Sequence, residues 1–259
     1  MMILSCIEKL VDAWFAVLPR PRPDAAQAAN ARLIAHRGAH DYSLNIIENS
    51  DAAFERAASL GCWGIEFDVH ACADDVLVVN HDPTLNRLWQ QNITISTSNF
   101  EEIRAAAPSV PTLKEVVARY GKKMHLFIEL KAPFTAEEAL AEALQPLIPC
   151  VDYHLLSLDE TLFPRLGLFP GASLLLVPVH NNVAKFCNLS LKNHYGGVLA
   201  HYFLLRNQQI QALRAENQMV GVGFVDSKYS LYRELNRGLQ YFFSNNVAAV
   251  SAVLRDLKK

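Results

Sequence analysis

Residues 64–81 read GIEFDVHACADDVLVVNH, two apolar runs at 64–70 and 76–81 with about five residues between them. A parallel crossover needs roughly a dozen residues, so these runs are predicted to pair as an antiparallel hairpin, with Asp74-Asp75 as its turn. A two-residue turn there sets Asp68 directly opposite His81, at the ~5 Å spacing of opposed strand residues. Outward from the hairpin, apolar runs alternate with helical patterns. Upstream, residues 32–36 (RLIAH) read as a strand, followed by a helix from Asn49, a good cap residue, to Leu60, stopped by Gly61. Downstream, a helix opens at Thr112 and ends at Gly121, a strand covers 125–131, and a helix follows Thr135. Further strands are expected at 154–158, 173–179, 197–203, 219–226 and 240–244, with helical patterns near 205–217, 227–238 and 246–258. Strands alternating with helices indicate βα units around a parallel sheet. With the hairpin counted as an extension of one strand, eight such units follow residue 31, the number that closes a barrel. The predicted fold is α/β: a TIM (β/α)8 barrel with a β-hairpin extension after strand two and an extra N-terminal helix.

The chain has 259 residues, 51% of them hydrophobic, which excludes disorder and suits a single barrel of ~250 residues. A net charge of −2 argues against a general nucleic-acid binder. Cys6, Cys62, Cys72, Cys150 and Cys187 are scattered and form no C-x-x-C pair, so a reducing, cytoplasmic setting is the expectation. No run approaches the ~20 apolar residues of a membrane span. Residues 1–30 are predicted to be an amphipathic helix and linker, and 31–259 one barrel domain. Apolar residues at three- and four-residue steps give residues 3–18 one apolar face. That face packs across the floor of the domain or rests peripherally on a membrane, and its few cations disfavour strong attraction to anionic lipid. Arg20-Pro21-Arg22-Pro23 and the alanines after it read as linker.

Barrels place their reactive groups at the C-terminal ends of the strands. There the first strand offers His36-Arg37-Gly38, the second Glu66 and Asp68, its hairpin partner His81-Asp82, and the next Glu129 and Lys131. Side chains alternate along a strand, so Glu66 shares a face with Asp68, and Glu129 with Lys131. Three carboxylates gathered in one mouth repel each other unless a cation lies between them. All-oxygen ligands suit a hard divalent ion, Mg²⁺ or Ca²⁺, better than zinc. Pairing of these acids with Arg37 and Lys131 as a structural ion network is the alternative. Arg37 can grip phosphate oxygens bidentately, Lys131 adds a point charge, and His36 and His81 titrate in the range of a general base and acid. Together they outline a phosphate-ester site for a small-molecule phosphodiester, with no protein partner implied.

H-R-G at 36–38, E-N at 48–49, E-F-D at 66–68, H-D-P-T-L-N-R at 81–87, P-T-L-K-E at 111–115 and E-L-K at 129–131 resemble the glycerophosphodiester phosphodiesterase family. The resemblance covers about the first half of the chain, in order. It implies a TIM barrel and metal-dependent hydrolysis of glycerophosphodiesters to sn-glycerol 3-phosphate and an alcohol. It further implies His36 and His81 as the acid–base pair, Glu66, Asp68 and Glu129 as metal ligands, and Arg37 and Lys131 on phosphate. Glu48 would orient Arg37 or the glycerol hydroxyls. Phospholipase D-like action on lysophospholipids and a catalytically silent phosphodiester-binding protein are the rival readings. The second half departs from the family pattern. The family's usual W-T-V-N stretch corresponds to Gly223-Phe224-Val225-Asp226, which implies loss of the pocket aromatic and gain of an acid. Its usual T-D reads Ser244-Asn245. His201 is expected to contact substrate from across the barrel, while His180 and Asp226 sit at comparable strand ends.

Overall fold

The computed structural model describes residues 13–259. The chain runs α1 (Ala25–Ala29), β1 (Arg32–His36), α2 (Asp51–Ser59), β2 (Gly64–Ala71), β3 (Leu77–Val79), α3 (Asn86–Trp89), α4 (Phe100–Ala106), α5 (Leu113–Tyr120) and β4 (His125–Leu130). It continues through α6 (Glu137–Leu144), β5 (Tyr153–Ser157), β6 (Leu174–Leu176), α7 (Val183–Asn193), β7 (Gly197–His201), α8 (Asn207–Ala215), β8 (Met219–Gly223), α9 (Lys228–Asn236), β9 (Tyr241–Ser244) and α10 (Val247–Leu257). Parallel pairing runs β1-β9-β8-β7-β6-β5-β4-β2 and closes through β1–β2, so eight strands form the TIM barrel the sequence predicts. β5 and β6 are joined by two 3₁₀ turns rather than by an α-helix.

β3 lies outside the barrel, antiparallel to β2, as the short connection requires. Its register differs from expectation. Val69 pairs with Val79 and Ala71 with Leu77, so Asp68 faces Asn80 rather than His81; the Asn80 amide donates to the Asp68 carbonyl at 3.1 Å. The cause is the turn: three residues, 73–75, span it, with Asp75 in the left-handed region at φ 57° and its N–H on the Cys72 carbonyl. A turn ending in one left-handed residue is the next commonest hairpin solution after the two-residue loop. Behind the hairpin Val78, Leu85, Ile95, Ile103 and Val110 form a small separate core.

Two further cores hold the barrel. The interior is filled by Ile34, Phe127, Leu156, Leu175, Leu199 and Phe243, and the layer between strands and helices by the extensive aliphatic cluster around Phe54, Phe67, Leu126 and Leu231. A layered interior of this kind leaves no pore, so ligands are met only at the ends.

Residues 13–17 are helical; the rest of the amphipathic segment expected at 3–18 lies outside the described residues, apart from Leu18. The described turn does not cross the floor. Phe15 packs edge-on to Tyr202 at 5.6 Å and Phe203 at 5.5 Å, just beyond the C-terminal end of β7, on the mouth side. Trp14 and Val17 stay exposed. The stretch read as linker is docked: Gln27 donates to the Leu235 carbonyl and Asn236 to that of Pro21.

Candidate active site

β1, β2 and β4 are neighbours in the barrel, and their C-terminal ends carry the charged residues into one mouth. A cavity of about 260 Å³ there is lined by His36, Arg37, Glu66, His81, Glu129 and Lys131. Asp68 lies behind them, 2.7 Å from Lys131 Nζ. The register of β2 on β4 sets Asp68 beside Glu129, and β1 on β2 sets His36 beside Glu66. His81 still reaches the mouth despite the register shift, because it lies beyond the end of β3. There its Nδ1 sits 2.8 Å from Asp82 Oδ1.

The first turn after β1 is backbone-driven. Arg37 has φ 54° and Gly38 φ 77°, both left-handed, and a Cβ on Gly38 would stand 2.7 Å from that of Ala53. Only glycine lets the chain turn this close to α2. The turn aims the Arg37 N–H at Glu66 Oε2, 2.9 Å away, and the guanidinium at Glu48 Oε1, also 2.9 Å away. Glu48 is clamped further by Arg87 at 2.7 Å and Tyr42 at 2.7 Å. Burial pushes the Glu48 carboxyl up, but Arg87, Tyr42 and Arg37 outweigh it and hold it at about 2.

Glu66, Asp68 and Glu129, all buried, each offer a carboxylate oxygen within 4.8 Å of the others. Burial, with Asp68 next, raises Glu66 and Glu129 above the usual carboxylate range. Burial acts on Asp68 too, yet Lys131 and Arg37 outweigh it and keep that group ionised. Lys131 also pairs with Glu129. Glu66 Oε1 is buried with no hydrogen-bond partner. Five carboxylates, counting Glu48 and Asp82, thus face the three fixed cations Arg37, Arg87 and Lys131. With all five ionised the deficit is two charges, that of one divalent ion; without a cation, burial and Asp68 push Glu66 and Glu129 towards their protonated forms instead. An unpaired buried oxygen and an all-oxygen donor set fit a hard divalent cation held by Glu66, Asp68 and Glu129.

Burial, then Arg37, lowers His36 below its ordinary value; burial lowers His81 as well. Both rings therefore favour the neutral form in this site. The other half of the mouth is different. The cavity wall from β5 to β9, including Leu156, Leu158, Val179, Leu199 and Phe224, carries no fixed charge, and its polar members are His180 and His201. His201 sits at the end of β7, stacked on Tyr202 at 4.8 Å, across the cavity from the acids.

Two expectations fail here. The pocket aromatic is not lost, since the Phe224 ring meets His36 edge-on at 5.1 Å. And Asn49 does not cap α2. Ser50 does, its side chain accepting from the Ala53 N–H. Asn49 instead takes φ 54° and donates Nδ2 to Asp68 Oδ2 at 2.8 Å, so it belongs to the site. Arg87, bridging Asp82 at 2.6 Å and Glu48, is a further residue of the site that spacing alone does not mark, although it and Asn49 both stand in the quoted motifs.

Fold and site together define a TIM-barrel protein with an acidic, histidine-flanked mouth. The sequence model of the glycerophosphoryl diester phosphodiesterase family matches residues 36–154, the span that supplies the charged half of that mouth. A glycerophosphodiester phosphodiesterase of Caldanaerobacter subterraneus is 37% identical over 124 residues, 43% of this chain and 50% of that one. One from Bacillus subtilis is 26% identical over 247 residues, 82% of each chain. The chain spans about half the length of the Caldanaerobacter relative and 44% of a second Bacillus subtilis relative. Among solved structures, a glycerophosphodiester phosphodiesterase of Agrobacterium tumefaciens superposes with a TM-score of 0.74 at 22% identity, covering 86% of this chain and 99% of that one. An Oleispira antarctica phosphodiesterase in complex with sn-glycerol-3-phosphate gives 0.71 at 21% identity, covering 86% and 96%. Over that matched segment the chain is similar to the glycerophosphodiester phosphodiesterase family, and the solved structures share its fold.

Proposed function

We propose that the chain hydrolyses glycerophosphodiesters to sn-glycerol 3-phosphate and an alcohol. The observation that carries this reading is the convergence of two histidines, three clustered carboxylates and two cations on one cavity. The Oleispira neighbour's bound product is the expected one. Glu66, Asp68 and Glu129 would hold Mg²⁺ or Ca²⁺, which when bound draws charge from the phosphate and makes phosphorus more electrophilic. Arg37 and Lys131 bind the phosphate oxygens, exchanging part of their carboxylate contacts for the substrate. Glu48 keeps the Arg37 fork oriented, and His201 faces the substrate from the opposite wall. One of His36 and His81 removes the proton of the glycerol 2-hydroxyl as its oxygen attacks phosphorus. The other, entering the step as imidazolium, gives its proton to the departing alkoxide, so the P–O bond to the alcohol breaks and a cyclic phosphate forms. Water then opens the ring with the roles reversed, giving one phosphomonoester and one alcohol for each water consumed.

The test is a screen of EDTA-stripped protein against glycerophosphocholine and its congeners with each divalent ion. Release of sn-glycerol 3-phosphate supports the reading, and its absence with every ion and substrate overturns it. The uncharged wall from β5 to β9 favours a second reading, phospholipase D-like action on lysophospholipids, whose acyl chain that wall would seat. Preference for a short-chain lysophosphatidylcholine over glycerophosphocholine, both below micellar concentration, would decide for it.

A further inference from the structure

His36 is held from behind. Its Nδ1 lies 2.7 Å from Asn245 Oδ1, and the Asn245 Nδ2 lies 3.4 Å from Asp226 Oδ2. The Asp226 carboxylate also accepts from Ser244 Oγ at 2.8 Å and from the Asn245 N–H at 2.7 Å, which pins it against the end of β9. These contacts fix proton positions by elimination. An ionised carboxylate only accepts, so the amide must turn its NH₂ to Asp226 and its oxygen to His36. An amide oxygen also only accepts, so the His36 nitrogen facing it must carry the hydrogen. In the neutral ring the other nitrogen, Nε2, then holds the lone pair. It points into the mouth, 3.8 Å from Glu66 Oε2. The Phe224 ring edge closes the remaining side.

We infer that Asn245, oriented by Asp226, is a positioning residue that locks His36 in the Nδ1–H tautomer, leaving Nε2 free to take a proton from the substrate. The inference rests on the proposed acid–base role of His36. The pair puts one acceptor-only group and one amide in contact and turns the amide oxygen towards the imidazole. A carboxylate at 245 with an amide at 226 would satisfy the same geometry with the partners swapped.

The test reads the tautomer directly, by ¹⁵N NMR of histidine-labelled protein at pH 8, with the His36 signals assigned through His36→Gln. The wild type is expected to show one neutral form, protonated at Nδ1. Asn245→Leu should populate both tautomers and lower kcat on glycerophosphocholine about 10–100-fold, with KM changed less than about threefold. The double exchange Asp226→Asn/Asn245→Asp should restore the Nδ1–H form and most of kcat, which a merely structural role would not do. An unchanged His36 spectrum in Asn245→Leu overturns the inference. If the wild type turns over no glycerophosphodiester, the proposed function falls, while the tautomer measurement still decides this point.

Discussion

Acidification from pH 7 to pH 5 should weaken the barrel floor by about 4 kcal/mol through two buried histidines far from the mouth. His125 and His154 open β4 and β5, and both are almost fully buried. His125 Nδ1 faces the Val151 carbonyl at 3.0 Å, so it must donate; its Nε2 then accepts from His154 Nδ1 at 2.7 Å. Trp63 stacks on the His125 ring at 4.5 Å and 12°. A proton added to His125 Nε2 would confront the His154 N–H. Burial holds His125 at about 4, and burial with His125 as neighbour holds His154 at about 3, against an ordinary 6.5. The sign follows from proton uptake. Below pH 6.5 the unfolded chain binds two protons that the folded one refuses, so stability falls with pH until the folded groups also titrate, near 4 and 3. At pH 5 each ring is about 1.5 pH units below its unfolded midpoint, costing about 2 kcal/mol, and the pair about 4 kcal/mol. That is a large share of the roughly 5–15 kcal/mol that holds a domain together. Urea midpoints at pH 7 and pH 5 measure it, with His125→Leu/His154→Leu as the reference. The variant loses absolute stability at both pH values, but other titrating groups are common to both proteins, so the difference between the two pH losses isolates the pair. An equal loss in variant and wild type would refute the reasoning.

Replacing His36 or His81 by alanine should lower turnover of glycerophosphocholine by roughly 10²–10⁴-fold with the melting temperature little changed, as steady-state kinetics and calorimetry would report. Adding Mg²⁺ or Ca²⁺ at ~100 times its Kd should stabilise the stripped protein by about 2.7 kcal/mol, and Glu66→Gln should remove most of that gain in a thermal scan. Arg87→Ala frees Asp82 and Glu48 together, so kcat should fall at least ~10-fold, and a fall no larger than that of a distant surface arginine variant would contradict the bridging role. Gly38→Ala places a Cβ 2.7 Å from Ala53 at φ 77° and should cost about 1–3 kcal/mol in urea denaturation.

The barrel was legible because its signal is redundant: apolar runs, spacings and the one impossible crossover at 64–81 agree, and a miscount at any single edge leaves eight units. The site was legible because motif residues at strand ends converge once the barrel closes. What escaped depends on details that pattern does not encode. The hairpin register turned on whether Ala73 joins the turn, and nothing in A-D-D distinguishes two residues from three. Asn49 and Ser50 are both good caps, and only the left-handed backbone at Asn49, set by its contact with Asp68, decides between them. Phe224 could be placed at the mouth only from three-dimensional position, since the family's aromatic falls one residue earlier, where this chain has Gly223. Arg87 and Asn245 act across 39 and 209 residues of sequence, separations at which no local spacing rule operates.

The two halves of the mouth also divide along the chain. Arg37, Glu66, Glu129 and Lys131, at the ends of β1, β2 and β4 and all within the matched span 36–154, supply every fixed charge that lines the cavity; the wall from β6 to β9 comes wholly from the residues after that span. Charge must be placed to fractions of an ångström, because each carboxylate moves its neighbours' proton affinities, so substitutions in the first half disturb the whole cluster. An aliphatic wall tolerates exchange so long as volume and polarity are kept. The expected consequence is separable function. Leu158→Ser or Val179→Ser should change KM or the preferred alcohol, at the scale of about 1–2 kcal/mol for part of an apolar contact, while leaving divalent-ion affinity within about twofold. Isothermal titration of the ion alongside a substrate panel measures both. A loss of ion binding in either variant would mean that the two walls are coupled, and the division of labour argued here would not hold.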